Sequence, residues 1–254
     1  MKIRILGSGY GECKIKRFAS KDFRHKGGVL IDSELLLDAP ADIFEAADEL
    51  GLSDLFESVT AVFISHSHKG HFDADAILKL ARGKTLSVYA DKEVLSLIPD
   101  AEEIIKCEAV PFREIDRGEY KILPLPSNHR TENKRERALN FIISRDKNLL
   151  YLLDGAFLNT DAYRLISELK LDAVILDTAL EILPPSCELM RHGSYETAKL
   201  VRGILLSAGA AGERTRFILS HIPSPRKRSV HEELSALAAS DGFTVAYDGY
   251  FTNI

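Results

Sequence analysis

The chain has 254 residues, 45% of them hydrophobic and 28% charged, with a formal net charge of -5. A chain of this length can bury a large core as one domain or as two small ones. Its acidic balance argues against a surface that coats nucleic acid generally, while leaving room for a local basic patch. No apolar run reaches the roughly 18 residues a membrane helix needs, and the opening MKIRILGSGYG lacks the apolar core of a secretion signal. A soluble, cytoplasmic protein with no membrane partner is expected. Cys13, Cys107 and Cys187 are far apart and form no CxxC pair, so they read as free thiols rather than a disulfide framework or a cysteine zinc site.

In chain order, KIRIL (2–6) predicts a strand, and Gly7-Ser8-Gly9-Tyr10-Gly11 a tight turn that brings backbone close to a site. A GxG alone is weak support for a nucleotide loop, and no later acid suits a ribose. Residues 12–27 are basic and irregular and read as a surface loop. VLID and ELLLDAP pair as a hairpin around Ser33-Glu34, ending at Asp38, and ADIFEAADELGL predicts an amphipathic helix closing at Gly51. AVFI (61–64) has strand length, and Asp73 reads as the N-cap of the helix carrying Ile77, Leu78 and Leu80. TLSVYA predicts a strand and EVLSLI a helix, then EIIKCEAV, YKILPLP and NFIISR predict strands. LLYLL is a further strand, DAYRLISELK a helix, DAVILD a strand, SYETAKLVRGILLSAG a helix, RFILS a strand, HEELSALAAS a helix and FTVAYDG a last strand. Hairpins in the first half followed by strand–helix alternation predict an α/β four-layer αββα sandwich, with residues 1–254 as one domain. A doubly wound sheet is the alternative, which the early hairpins fit poorly.

Chemistry concentrates between the AVFI strand and its following helix, where His66, His68 and His71 lie within six residues. Neutral imidazole is the commonest side-chain metal ligand, and histidines two apart on an irregular turn can converge on one ion. A polar loop that only solvates a helix start is the plainer alternative. Three more candidates terminate apolar strands: His129 after YKILPLP, Asp154 after LLYLL and His221 after RFILS. A metal site assembled from strand ends draws its ligands from such positions, although a strand-end aspartate before glycine is also a common turn residue.

His66-x-His68-x-Gly70-His71 resembles the HxHxDH signature of the metallo-β-lactamase-fold hydrolases, except that Gly70 stands at the aspartate position. The resemblance implies the αββα fold and a first ion held by His66, His68, His129 and Asp154. It implies a second held by His71, Asp154 and His221 and weakened by Gly70. Zn2+ or Mn2+, as one or two ions, suits this donor set, and Asp154 bridging two ions would be catalytic as well as ligating. LPLPSNHR, LLYLLDGAF, LDAVILDTAL, MRHGSYETAKL, FILSHIPS and FTVAYDGY resemble segments of the PhnP-like phosphodiesterases, which hydrolyse cyclic or small phosphodiesters. By that resemblance His192 is the non-ligand catalytic residue that serves the leaving group; capping the helix of residues 194–206 is its other reading. Asp177 reads either as a carboxylate orienting a ligand histidine or as a strand-end turn. PhnP-like cysteine zinc ligands are missing, so no structural zinc is expected.

Lys69 could bind substrate phosphate or partly replace the second ion's charge, although a solvated lysine is the plainer reading. The cluster Arg130, Lys134, Arg135 and Arg137 and the cluster Arg226, Lys227 and Arg228 flank the proposed ligands and suit phosphate oxygens. Glu132 and Glu136 could pair with the first cluster inside its own loop. The expected function is therefore a metal-dependent phosphodiesterase acting on a small phosphorylated substrate. A nuclease or RNA-processing hydrolase of the same fold, and a degenerate member that binds without turnover, are the rivals. A homodimer is left open.

Overall fold

The computed structural model describes residues 1–10, 20–182, 191–223 and 230–254. Its first half runs β1 (Lys2–Gly7), β2 (Gly9–Tyr10), β3 (Gly28–Ile31), β4 (Leu35–Leu37), α1 (Ile43–Glu49), β5 (Ala61–Phe63), α2 (Ala74–Ala81), β6 (Leu86–Ala90), α3 (Lys92–Leu95) and β7 (Ile104–Glu108). Then come β8 (Ile115–Arg117), β9 (Tyr120–Pro126), β10 (Leu139–Ser144), β11 (Asn148–Leu152), α4 (Thr160–Ser167) and β12 (Ala173–Asp177). The chain closes with α5 (Tyr195–Ser207), β13 (Arg216–Ser220), β14 (Ile222–Pro223), α6 (Val230–Ser240), β15 (Phe243–Val245) and β16 (Phe251–Asn253).

Two seven-stranded sheets result, ordered β16-β1-β3-β4-β5-β6-β7 and β15-β13-β12-β11-β10-β9-β8. Each is half antiparallel and half parallel. Strands joined by turns pair antiparallel, as β3 with β4 and β10 with β11. The parallel pairs β4–β5, β5–β6 and β6–β7, and β11–β12, β12–β13 and β13–β15, each have an α-helix between their strands, because a parallel return needs a crossover.

Burial alternates with the strand period of two. Leu149 and Tyr151 of β11 meet Ile3, Ile5 and Phe63 between the sheets, while Leu150 and Leu152 face Ile166, Val201 and Leu234 of α4, α5 and α6. On the other outer face Val62 and Ile64 pack against Ile43, Ile77 and Val94 of α1, α2 and α3. Strands buried on both faces read as continuous apolar runs, which is why LLYLL and DAVILD are so uniform. The expected αββα layering is thus present. No helix among the described residues is long and apolar enough to cross a membrane.

Two expectations need correction. The basic stretch 12–27 does not end as a surface loop: residues 11–19 lie outside the described residues, but Asp22, Arg24 and His25 are buried. Arg24 donates to Ser8 Oγ (2.6 Å) and Ala246 O (2.8 Å), so its charge is spent on stitching the two halves. The predicted strand over 243–249 stops at Val245; Asp248 turns inward to accept from Ser8 N and His25 N, Gly249 takes φ +85°, and the unforeseen β16 pairs with β1. Cys107 is a half-buried free thiol; Cys13, Cys187 and the cluster Arg226, Lys227 and Arg228 lie outside the described residues.

Candidate metal centre

The predicted ligands meet at one edge of the sandwich because each follows the end of a strand: His66 after β5, His129 after β9, Asp154 after β11 and His221 after β13. Asp38, Asp154 and His221 all adopt left-handed backbone, at φ 60°, 50° and 60°. Non-glycine residues rarely do so, and such strain gathers where a side chain must be aimed. Gly155 follows Asp154 at φ +146°, and a Cβ there would sit 2.6 Å from Ser127 Oγ, so this turn requires glycine.

The outer partners assign each imidazole's tautomer, because most of them can only accept a hydrogen bond. His71 Nδ1 donates to Asp38 Oδ2 at 2.7 Å. His129 Nδ1 donates to the Arg191 carbonyl at 2.9 Å, and His68 Nε2 donates to Glu132 Oε2 at 3.0 Å. Ser65 Oγ gives its own hydrogen to Asp38 Oδ2 (3.0 Å) and so accepts from His66 Nδ1 (3.0 Å). For His66, His68 and His129 the opposite nitrogens are then lone pairs, and they converge: His66 Nε2 and His129 Nε2 each lie 3.0 Å from His68 Nδ1. Lone pairs held this close repel one another unless a cation sits among them. Asp154 lies beside them, its Oδ2 3.9 Å from His66 Nε2 and 3.3 Å from His221 Nε2, and in contact with His71 Nε2. Both ring nitrogens of His221 are buried without a hydrogen-bond partner among the described residues. The donor set therefore fits divalent cations. His66, His68 and His129 form one ligand group and His66, His71 and Asp154 a second.

A scan of protein-family models finds no match to the chain, and curated proteins yield none. Solved structures do. The metallo-β-lactamase fold protein YhfI from Bacillus subtilis superposes with a TM-score of 0.74 at 18% identity, covering 99% of this chain and 98% of that one. A diphosphatase from the PhnP family gives 0.74 at 18% identity over 100% and 97%. Yeast PDE1 gives 0.71 at 11% identity over 100% and 99%.

The chain has the metallo-β-lactamase fold.

Within this metallo-β-lactamase fold, His192 stands beside the ligands, its Nδ1 2.9 Å from Asp154 Oδ1 and 3.5 Å from Asp177 Oδ2. It does not cap the following helix; Ser194 does, in a capping box with Thr197. Asp177 accepts from Gly193 N (2.9 Å) and Ala179 N (2.8 Å), and so faces His192 while closing its own turn. Asp73 caps α2 through Ala76 N.

Burial and, next, the His71 charge push His66 well below the usual histidine range; burial lowers His129 too, so both stay neutral donors. Burial opposes protonation of His71, but Asp154 and Asp38 outweigh it and raise it to about 10. A cation entering there displaces a proton. His192 is likewise disfavoured as a cation by burial and raised to about 10 by Asp154 and Asp177. Burial opposes ionisation of Asp154, yet His221 and His71 hold its carboxyl well below the usual carboxylate range.

A cavity of about 390 Å³ opens over the centre, walled by Tyr10, Lys69, Gly70, Arg130 and Arg191. In place of the tight turn expected over Gly7-Ser8-Gly9-Tyr10-Gly11, Gly9 and Tyr10 form a short strand: Gly9 pairs with Ile222, and the Tyr10 ring lies 4.9 Å from His192 and 5.0 Å from His221. A neighbouring cavity of about 590 Å³ shares Arg130 and Arg191 and adds Lys134. Arg137 turns away to Asp91 and Glu108. Glu132 and Glu136 do not pair within their loop: Glu132 holds His68, and Glu136 accepts from Ser67 N and Oγ. Sequence reading missed the supporting roles of Asp38, Tyr151, Glu132 and Glu136. A polar residue ending a buried strand was the one available signal, and Asp38 carries it.

Proposed function

We propose that the chain is a metal-dependent hydrolase that cleaves a small phosphodiester. The reading rests on one observation above others: imidazole lone pairs and Asp154 converge beneath a cavity whose rim carries Arg130 and Arg191. His66, His68, His71, His129, Asp154 and His221 would hold Zn2+ or Mn2+, which would supply positive charge to acidify water and neutralise phosphoryl oxygens. Arg130, Arg191 and Lys69 line that cavity and orient the phosphodiester through its oxygens. His192 turns Nδ1 toward Asp154 Oδ1 (2.9 Å) and Asp177 Oδ2 (3.5 Å), which leaves Nε2 to hand a proton to the departing alkoxide. Water oxygen bonds to phosphorus and gives up its proton to solvent, the P–O ester bond breaks, the alkoxide takes the His192 proton and leaves as an alcohol, and His192 regains a proton from solvent. In this reading the chain works as one domain in the cytoplasm, alone or as a homodimer.

The absent carboxylate at Gly70 motivates a second reading, a member that binds metal and ligand without turnover. Bis-p-nitrophenyl phosphate separates the two. With Zn2+ or Mn2+ the protein is expected to release p-nitrophenol, and His68→Ala to lose that activity. A wild type that stays silent over a divalent-metal screen, or that His68→Ala matches, overturns the hydrolase reading for this substrate class.

A further inference from the structure

His68 is the least buried of the proposed ligands. Its side chain is 31% exposed, against 1–2% for His66, His71, His129 and His221. Packing holds the other imidazoles, so hydrogen bonds must aim this one. They come from residues 129–137, the segment that also supplies His129. Glu132 Oε2 accepts from His68 Nε2 at 3.0 Å, but Glu132 is 88% exposed and water competes for both ends of that bond. Glu136 acts one residue earlier. Its Oε1 accepts from Ser67 N at 2.7 Å and its Oε2 from Ser67 Oγ at 2.6 Å.

Ser67 lies between His66 and His68 in a bend outside any strand or helix, so its N–H needs a partner from elsewhere. On the far side, the His68 carbonyl accepts from His71 N (2.8 Å) and Phe72 N (2.9 Å). With Glu136 on Ser67, the backbone of His68 is pinned at both ends while Nδ1 faces His66 Nε2 and His129 Nε2. The segment is braced for this: Arg137 Nε donates to the buried Asp91 Oδ2 at 3.0 Å, and Leu139 N to Ser65 O at 2.8 Å. Arg135 and Arg137 adjoin Glu136 in the chain, yet Glu136 pairs with no cation among the described residues. Its charge is committed to the two donors of Ser67, and such charge-assisted bonds are about twice as strong as neutral ones.

We propose that Glu136, which touches no ligand, is the main residue positioning His68 for the cation of the His66–His68–His129 group, ahead of Glu132, which touches it directly. The proposal rests on the reading of that group as a metal site. Glu136 acts through Ser67 on the backbone from which His68 projects, and Glu132 only trims the ring.

The test uses the full chain, stripped with chelator and titrated with Co2+, whose visible absorption reports the geometry of its ligands. Glu136→Ala is expected to weaken binding of the first cobalt equivalent by about tenfold to a hundredfold and to change its absorption bands. Glu132→Ala is expected to cost about fivefold at most, with the bands kept. Glu136→Gln keeps one acceptor oxygen for Ser67 and is expected to fall between wild type and Glu136→Ala. It decides the question if the alanine variant does not fold. Wild-type affinity and bands in the Glu136 variants overturn the positioning role even if the metal-free melting temperature drops, since a residue that only closes the loop gives that pattern. A larger loss in Glu132→Ala than in Glu136→Ala overturns it too. A wild type that takes up no cobalt defeats the metal reading itself, and this proposal with it, which keeps the two failures apart.

Discussion

His71 and Asp38, 33 positions apart, share a 2.7 Å hydrogen bond from His71 Nδ1 to Asp38 Oδ2 in which both side chains are buried. The same carboxylate accepts from Ser65 N, Ser65 Oγ and Tyr151 OH. One buried aspartate thus aims two proposed ligands, His71 directly and His66 through Ser65. Carboxylates that orient a ligand histidine are worth about 10–100-fold in metal affinity. Asp38→Asn, which tolerates the left-handed backbone, is expected to weaken zinc binding by about that factor. Asp38→Ala is expected to cost a further 3–5 kcal/mol or so, because a buried partner is removed. Competitive zinc titration and urea unfolding check both; unchanged affinity in Asp38→Asn contradicts the aiming role.

Gly70 offers the opposite experiment. A Cβ there meets nothing within 4 Å, and its backbone is not in the left-handed region. Gly70→Asp is expected to fold normally and to raise retained metal toward two ions per chain, as a shared two-cation site requires. Plasma mass spectrometry of desalted protein reads the result, and unchanged metal content counts against a second site at His71, Asp154 and His221.

Arg130 and Arg191 wall both cavities at the centre, and the Arg191 carbonyl accepts from His129 Nδ1. If they bind ground state and transition state alike, Arg130→Ala and Arg191→Ala raise KM by about tenfold each with kcat held. Steady-state kinetics on bis-p-nitrophenyl phosphate decide it. A fall in kcat at constant KM assigns them instead to the transition state.

His231 sets an acid limit to stability. Burial, then the Arg24 guanidinium 3.1 Å from its Nδ1, lowers it from 6.5 to about 4. The unfolded chain takes up this proton first as pH falls, so the stability contribution is full above pH 6.5 and is lost between 6.5 and about 4. The loss amounts to about 3 kcal/mol at most. His231→Gln is expected to flatten the difference in urea stability between pH 7 and pH 4 relative to wild type; an unchanged slope contradicts it.

The sequence made the ends of apolar strands readable, and with them His129, Asp154 and His221, because a polar residue after a buried run must lie at a sheet edge. The three clustered histidines were readable because their spacing is local. What lies across the molecule was not. Asp38 looked like a hairpin end, since nothing local says that a residue 33 positions on will donate to it. Glu132 and Glu136 have basic neighbours in the chain, but folding brings Ser67 and His68 closer. Arg24 and His25 sit in a basic stretch that suggests solvent, yet Ser8, Ala246 and Asp248 supply buried partners from both ends of the chain.

Anomalous diffraction at the zinc edge from zinc-loaded crystals tests the convergence of ligands most directly. The account predicts a peak at about 2.0–2.2 Å from His66 Nε2, His68 Nδ1 and His129 Nε2, with Asp154 completing the shell. A map with no peak among those nitrogens would contradict it.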